Sequence, residues 1–115
     1  AWDDRFEADV GRRPPHGALG CLQDVHWSEG LFGYFPTYTL GNLNAAALAA
    51  ALHRDLPAAA EGFGRGDFAP ALDWMRTHVH ARARTAPAAR IVAEAAGAPV
   101  DERPLLAHLE AKFAD

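Results

Sequence analysis

Between Pro36 and His53 apolar side chains recur at three- and four-residue spacing, so that Leu40, Leu43, Ala47, Leu48, Ala51 and Leu52 fall on one stripe. A strand needs a period of two, so this spacing admits only an α-helix. The alanine-rich run from Ala45 to Ala51 has the highest intrinsic helix propensity in the chain, and its small side chains let a neighbouring backbone come close. Period-two alternation and β-branched runs are nearly absent elsewhere. The expectation is an all-α fold, an array of about five to six helices.

Punctuation places the other helices. Trp2 and Phe6 share a face, Val10 continues it and Gly11 supplies a stop. The chain opens with this pattern under way and no initiator methionine, so residues 1–10 read as the end of a helix begun in a longer protein. Pro14, Pro15 and Gly17 make 11–20 a connector. Asp55 followed by Pro57 predicts a cap and a first-turn proline, opening a short helix with Leu56, Ala59, Ala60 and Phe63 inward. Gly62, Gly64 and Gly66 end it. Asp67 then caps a helix with Phe68, Ala71, Leu72, Met75 and Val79 on one face. Thr85 and Pro87 open a weaker segment around Ile91, Val92 and Ala95, closed by Gly97 and Pro99. Asp101 and Pro104 start a last helix with Leu105, Leu106, Leu109 and Phe113 inward.

Composition excludes several functions. The 115 residues make one domain's worth of chain, half of it apolar and 23% charged, which fits a folded protein and not a disordered one. No apolar run approaches the roughly 20 residues of a membrane span. A net charge of -4 with scattered arginines argues against a nucleic-acid partner. A lone cysteine, Cys21, forms no internal disulfide and no four-cysteine zinc site. A reducing, cytoplasmic setting is the simplest reading.

Residues 20–42 do not read as helix filler. They gather two tyrosines, a tryptophan, two phenylalanines, a histidine, an aspartate and a glutamine among glycines. Aromatic rings make rigid walls, and Gln23, Asp24, His26, Tyr34 and Tyr38 supply directed hydrogen bonds. Gly30 and Gly33 permit backbone conformations closed to other residues. Walls with a few polar groups suit a binding cleft. A buried His–Asp–Gln network that merely fixes loop packing has the same composition, and composition alone does not separate the two.

The string Gly20-x-x-Gln23-Asp24-x-His26-Trp27 resembles the G-x-x-Q-D-x-H-W motif of the Taq-type carboxypeptidases, also called thermostable carboxypeptidase 1. The likeness continues without a gap through Phe32-Gly33-Tyr34-Phe35-Pro36-Thr37-Tyr38 and Leu40-Gly41-Asn42. It extends in style through Gly66 to Pro70, the helix with Trp74, and the closing Pro104-Leu105-Leu106-x-x-Leu109-Glu110-x-Lys112-Phe113. The resemblance implies a largely helical metallocarboxypeptidase that removes C-terminal amino acids from peptides. Its metal, zinc or sometimes cobalt, sits on a helix carrying H-E-x-x-H, where two histidines four apart point the same way. The histidines here stand at 16, 26, 53, 78, 80 and 108, with no pair four apart. No metal ligand is assigned in this chain.

By that resemblance the chain is the C-terminal region of such an enzyme, with 20–42 lining the cleft, 43–115 forming a helical array and the metal held in the missing N-terminal part. His26 and Tyr38 are the expected carbonyl or oxyanion donors. Tyr34 is a candidate for the substrate's terminal carboxylate or backbone. Gln23 and Asp24 are expected to orient His26, a carboxylate on the far imidazole nitrogen fixing its tautomer, and Trp27 is read as packing. Expected partners are the peptide C-terminus, the N-terminal part of the same enzyme and a second copy in a homodimer. The alternative is a non-catalytic helical module of the same descent that binds a peptide or protein. Gly62-x-Gly64-x-Gly66 follows a helix and no strand, so it reads as a helix stop and not a phosphate cradle. Cys21 reads as an inert thiol.

Overall fold

A computed structural model describes residues 1–114. Among them are seven α-helices, three single turns of 3₁₀-helix and no strand. The chain divides into two compact units, Ala1–Tyr38 and Thr39–Asp115; the second begins inside the longest helix.

In the first unit, α1 (Trp2–Val10) ends as expected on a left-handed Gly11, φ 74°, whose N–H donates to the carbonyl of Glu7. The Trp2 and Phe6 rings stack at 4.9 Å between centroids. Arg13 turns back from the connector and places one guanidinium nitrogen 2.8 Å from Asp4 and 2.9 Å from Glu7. Single 3₁₀ turns cover Gly17–Leu19 and Cys21–Gln23. Between them Gly20 is buried, and a Cβ there would stand 3.1 Å from Pro14 Cβ and 3.3 Å from the Trp2 ring. Glycine is needed here for close approach.

A four-residue helix, α2 (Val25–Ser28), is one that the spacing argument did not foresee. The long helix α3 runs Pro36–Asp55, two residues beyond the expected end. Asp55 therefore closes α3 instead of capping the next helix. Its carboxylate is taken up by Arg54 Nε at 2.8 Å and the indole N–H of Trp74 at 3.0 Å, which together hold it below the ordinary carboxylate range. Pro57 blocks further helix, and α4 (Ala59–Gly64) starts after Ala58.

The second unit packs α3, α4, α5 (Ala69–His78) and α6 (Ala88–Ala96) around Ala51, Leu52, Ala59, Ala71, Trp74 and Ala95, with Leu48, Leu56, Phe63, Met75 and Val79 against them. Trp74 is the largest buried side chain of that cluster, a place the stripe expected for α5 did not give it. Phe68 and Leu72, expected on one face with Ala71 and Met75, are exposed, as is Ala60, which was expected inward. Asp67 accepts from the N–H of Ala69 and Asp101 from that of Arg103, each standing one residue ahead of the N-cap, Phe68 and Glu102, neither of which makes a side-chain cap bond. Gly97 closes α6 at φ 82°, and Arg54 Nη1 donates to the carbonyl of Ala96 at 2.9 Å, satisfying an orphan of the helix end. The last helix, α7 (Arg103–Phe113), buries no residue fully; Leu106, Leu109 and Phe113 are exposed, against the expected inward stripe. No helix of the described residues is long and apolar enough to cross a membrane.

Candidate functional site

The site is built within residues 20–38 by short-range backbone bonds. Asp24 leaves the 3₁₀ turn in an extended conformation and caps α2, its Oδ1 accepting the backbone N–H of His26 at 3.0 Å. That helix cannot continue through Gly30, φ 72°; the N–H of Leu31 instead donates to the carbonyl of His26 at 2.8 Å. Gly33, φ 77°, makes a second left-handed step. Tyr34 precedes α3, and the Thr37 hydroxyl and N–H both donate to its carbonyl, at 2.7 and 2.9 Å. Two glycine turns thus carry the chain from α2 into the first turn of α3, where Tyr38 sits.

The result joins three of the expected residues in one line. Asp24 Oδ1 lies 2.6 Å from His26 Nδ1, and His26 Nε2 lies 3.3 Å from the Tyr38 hydroxyl. Aromatic rings surround the imidazole: Tyr34 stacks on it at 4.9 Å, Tyr38 tilts against it at 5.7 Å, and Phe35 meets it edge-on at 6.2 Å. Tyr34 and Phe35 also touch the Tyr38 ring edge-on, at 6.1 and 5.9 Å. Burial is graded along the line. The side chains of Asp24 and His26 are 18% and 15% exposed, whereas Tyr38 is 56% exposed. The carboxylate is inward and the phenol outward.

Gln23 does not join the line. Its amide donates to the carbonyl of Ala18, tying one 3₁₀ turn to the other, so the expectation that it orients His26 gives way to a role in holding the loop. Trp27 lies roughly parallel to Phe32 at 6.5 Å, in keeping with packing. Phe35, which carries no polar group and to which the motif assigns no role, stands three residues before Tyr38 at a helix start, a spacing that brings the two rings together. Cys21 is a half-buried free thiol.

Among the described residues no three of His, Cys, Asp and Glu gather into a group able to hold a metal ion. The donor set does not fit a metal centre. What the patch itself offers is a carboxylate, an imidazole and a hydroxyl in series. In the second unit, a cleft of about 610 Å³ is lined by Val79, Arg84, Thr85, Pro87 and Ile91, and one of about 580 Å³ by Asn42, Ala49, His53, Leu105 and His108. Neither gathers such a series.

Residues 1–113 match the family of carboxypeptidase Taq (M32) metallopeptidases. The chain belongs to this family. It is 42% identical over 114 residues to thermostable carboxypeptidase 1 of Thermus thermophilus, covering 99% of this chain and 22% of that protein. Carboxypeptidase 1 of Bacillus subtilis is 35% identical over 114 residues, with 99% and 23% covered. Among solved structures, metallocarboxypeptidase 1 of Trypanosoma cruzi superposes with a TM-score of 0.92 at 30% identity, over 99% of this chain and 23% of that one. The chain thus spans less than a quarter of the length of these relatives, and what it matches is the C-terminal part of an M32 carboxypeptidase.

Proposed function

We propose that this chain is the C-terminal region of a metal-dependent carboxypeptidase and supplies groups that hold the peptide substrate and stabilise charge developing on its carbonyl oxygen. The observation that carries this reading is the Asp24–His26–Tyr38 series, graded from a half-buried carboxylate to an exposed phenol.

In this reading Tyr38 is the principal hydrogen-bond donor to the carbonyl or oxyanion, His26 holds the phenol and joins it as a donor only in its doubly protonated form, and Asp24 orients the imidazole. A preorganised donor at an oxyanion is worth about a hundredfold to a thousandfold in turnover. Tyr34, stacked on His26 and half exposed, faces the substrate's terminal carboxylate or backbone. A divalent metal, zinc or cobalt, is held by residues outside this chain, and the remaining part of the same enzyme is the necessary partner.

The test is substitution in the full-length protein. Tyr38→Phe is expected to lower turnover on an N-blocked dipeptide by on the order of a hundredfold to a thousandfold, and His26→Ala to lower it with metal content intact. Unchanged turnover in Tyr38→Phe removes that assignment; loss of metal in His26→Ala means that His26 serves the metal centre instead.

A further inference from the structure

One carboxylate oxygen of Asp24 accepts two hydrogen bonds from the same residue. Oδ1 takes the backbone N–H of His26 at 3.0 Å and stands 2.6 Å from Nδ1 of its ring. The bond that starts α2 therefore also fixes the turn of the imidazole. An ionised carboxylate can only accept, so Nδ1 must carry a proton, and in a neutral imidazole the other nitrogen, Nε2, is then a bare acceptor. That acceptor faces the Tyr38 hydroxyl at 3.3 Å. The titratable groups facing the ring are Asp24, Tyr34 and Tyr38.

We propose that Asp24 is a positioning residue that keeps neutral His26 in its Nδ1–H form, so that the Tyr38 hydroxyl donates to Nε2 until a ligand oxygen competes for that hydrogen bond. This rests on the function proposed above and deepens one part of it. His26 and Tyr38 are not two donors at once when the imidazole is neutral. A ligand oxygen that draws away the phenol proton leaves Nε2 free to accept, and two donors meet that oxygen only when His26 is the doubly protonated imidazolium.

The discriminating variant is Asp24→Ser. A serine hydroxyl still accepts the His26 backbone N–H and caps α2, but it is neither long enough nor charged enough to clamp Nδ1. In full-length protein labelled with ¹⁵N-histidine, neutral His26 is expected to show the Nδ1–H pattern. Asp24→Ser is expected to abolish it, with kcat down by about tenfold to a hundredfold, KM within about twofold and metal content unchanged. An Nε2–H pattern in the wild-type protein overturns the proposal. So does an Asp24→Ser variant that keeps both the pattern and the turnover, since Asp24 would then be a helix cap and nothing more. If Tyr38→Phe and His26→Ala leave turnover untouched while the wild-type pattern is Nδ1–H, it is the catalytic reading that fails and the tautomer assignment that stands.

Discussion

The two units of this chain are ordered by different physics. In Thr39–Asp115 helices enclose alanines, leucines and one tryptophan, and every buried apolar side chain of the described residues lies there. In Ala1–Tyr38 only Gly20 is buried, while Leu22, Val25, Leu31, Phe32 and Phe35 are exposed. Order in that unit comes from caps, 3₁₀ turns, left-handed glycines and ring contacts. Apolar burial gives stability but presents no polar group. Local hydrogen bonding gives little stability, yet it fixes where a carboxylate, an imidazole and a phenol point. The difference teaches where damage to stability and damage to function should separate.

Trp74→Ala strikes the second unit hardest. Trp74 is 7% exposed and its indole N–H holds Asp55, so truncation leaves a cavity and an unpaired acceptor. The expected cost is about 3–5 kcal/mol, read by urea unfolding, with turnover per folded molecule unchanged. Equal loss of turnover in the folded fraction would break the comparison. Gly20→Ala tests the first unit's close approach. The added Cβ meets Pro14 and the Trp2 ring at 3.1 and 3.3 Å, for an expected cost of about 1–3 kcal/mol in the same experiment. Tyr38→Phe, expected to have a large effect on turnover, should move stability least, by no more than about 0.5 kcal/mol, because the ring stays and the residue is exposed.

How much of this was legible in the sequence follows the same division. Helix class, most starts and most stops could be read because glycine, proline and aspartate act locally: Gly11 and Gly97 end their helices, and Asp67 and Asp101 each accept an N–H at a helix start, one residue ahead of the N-cap. Asp55 misled because the same carboxylate can cap a helix or receive a distant side chain, and the indole of Trp74, nineteen residues on, decides it. The stripe of α7 misled because periodicity marks an apolar face and not what covers it; Leu106 and Leu109 are exposed. In the site, the motif names His26, Asp24, Tyr34 and Tyr38, and Gly30 and Gly33, expected to permit conformations closed to other residues, both adopt a positive φ. Gln23 was misplaced because adjacency to Asp24 says nothing of side-chain direction in a 3₁₀ turn; its amide points back to Ala18. The tautomer of His26 needed atoms, since spacing does not tell which nitrogen meets the carboxylate.

The central claim is that imidazole and phenol act as one hydrogen-bonded unit, and a double-mutant cycle on His26 and Tyr38 tests it most directly. Turnover would be measured for His26→Ala, Tyr38→Phe and the pair together in the full-length protein, with metal content checked throughout. Groups that act as a unit are strongly non-additive, so the double variant should be no more than about threefold slower than the worse single one. Losses that multiply in full would contradict the account, because the two side chains would then be contributing independently despite the 3.3 Å between them.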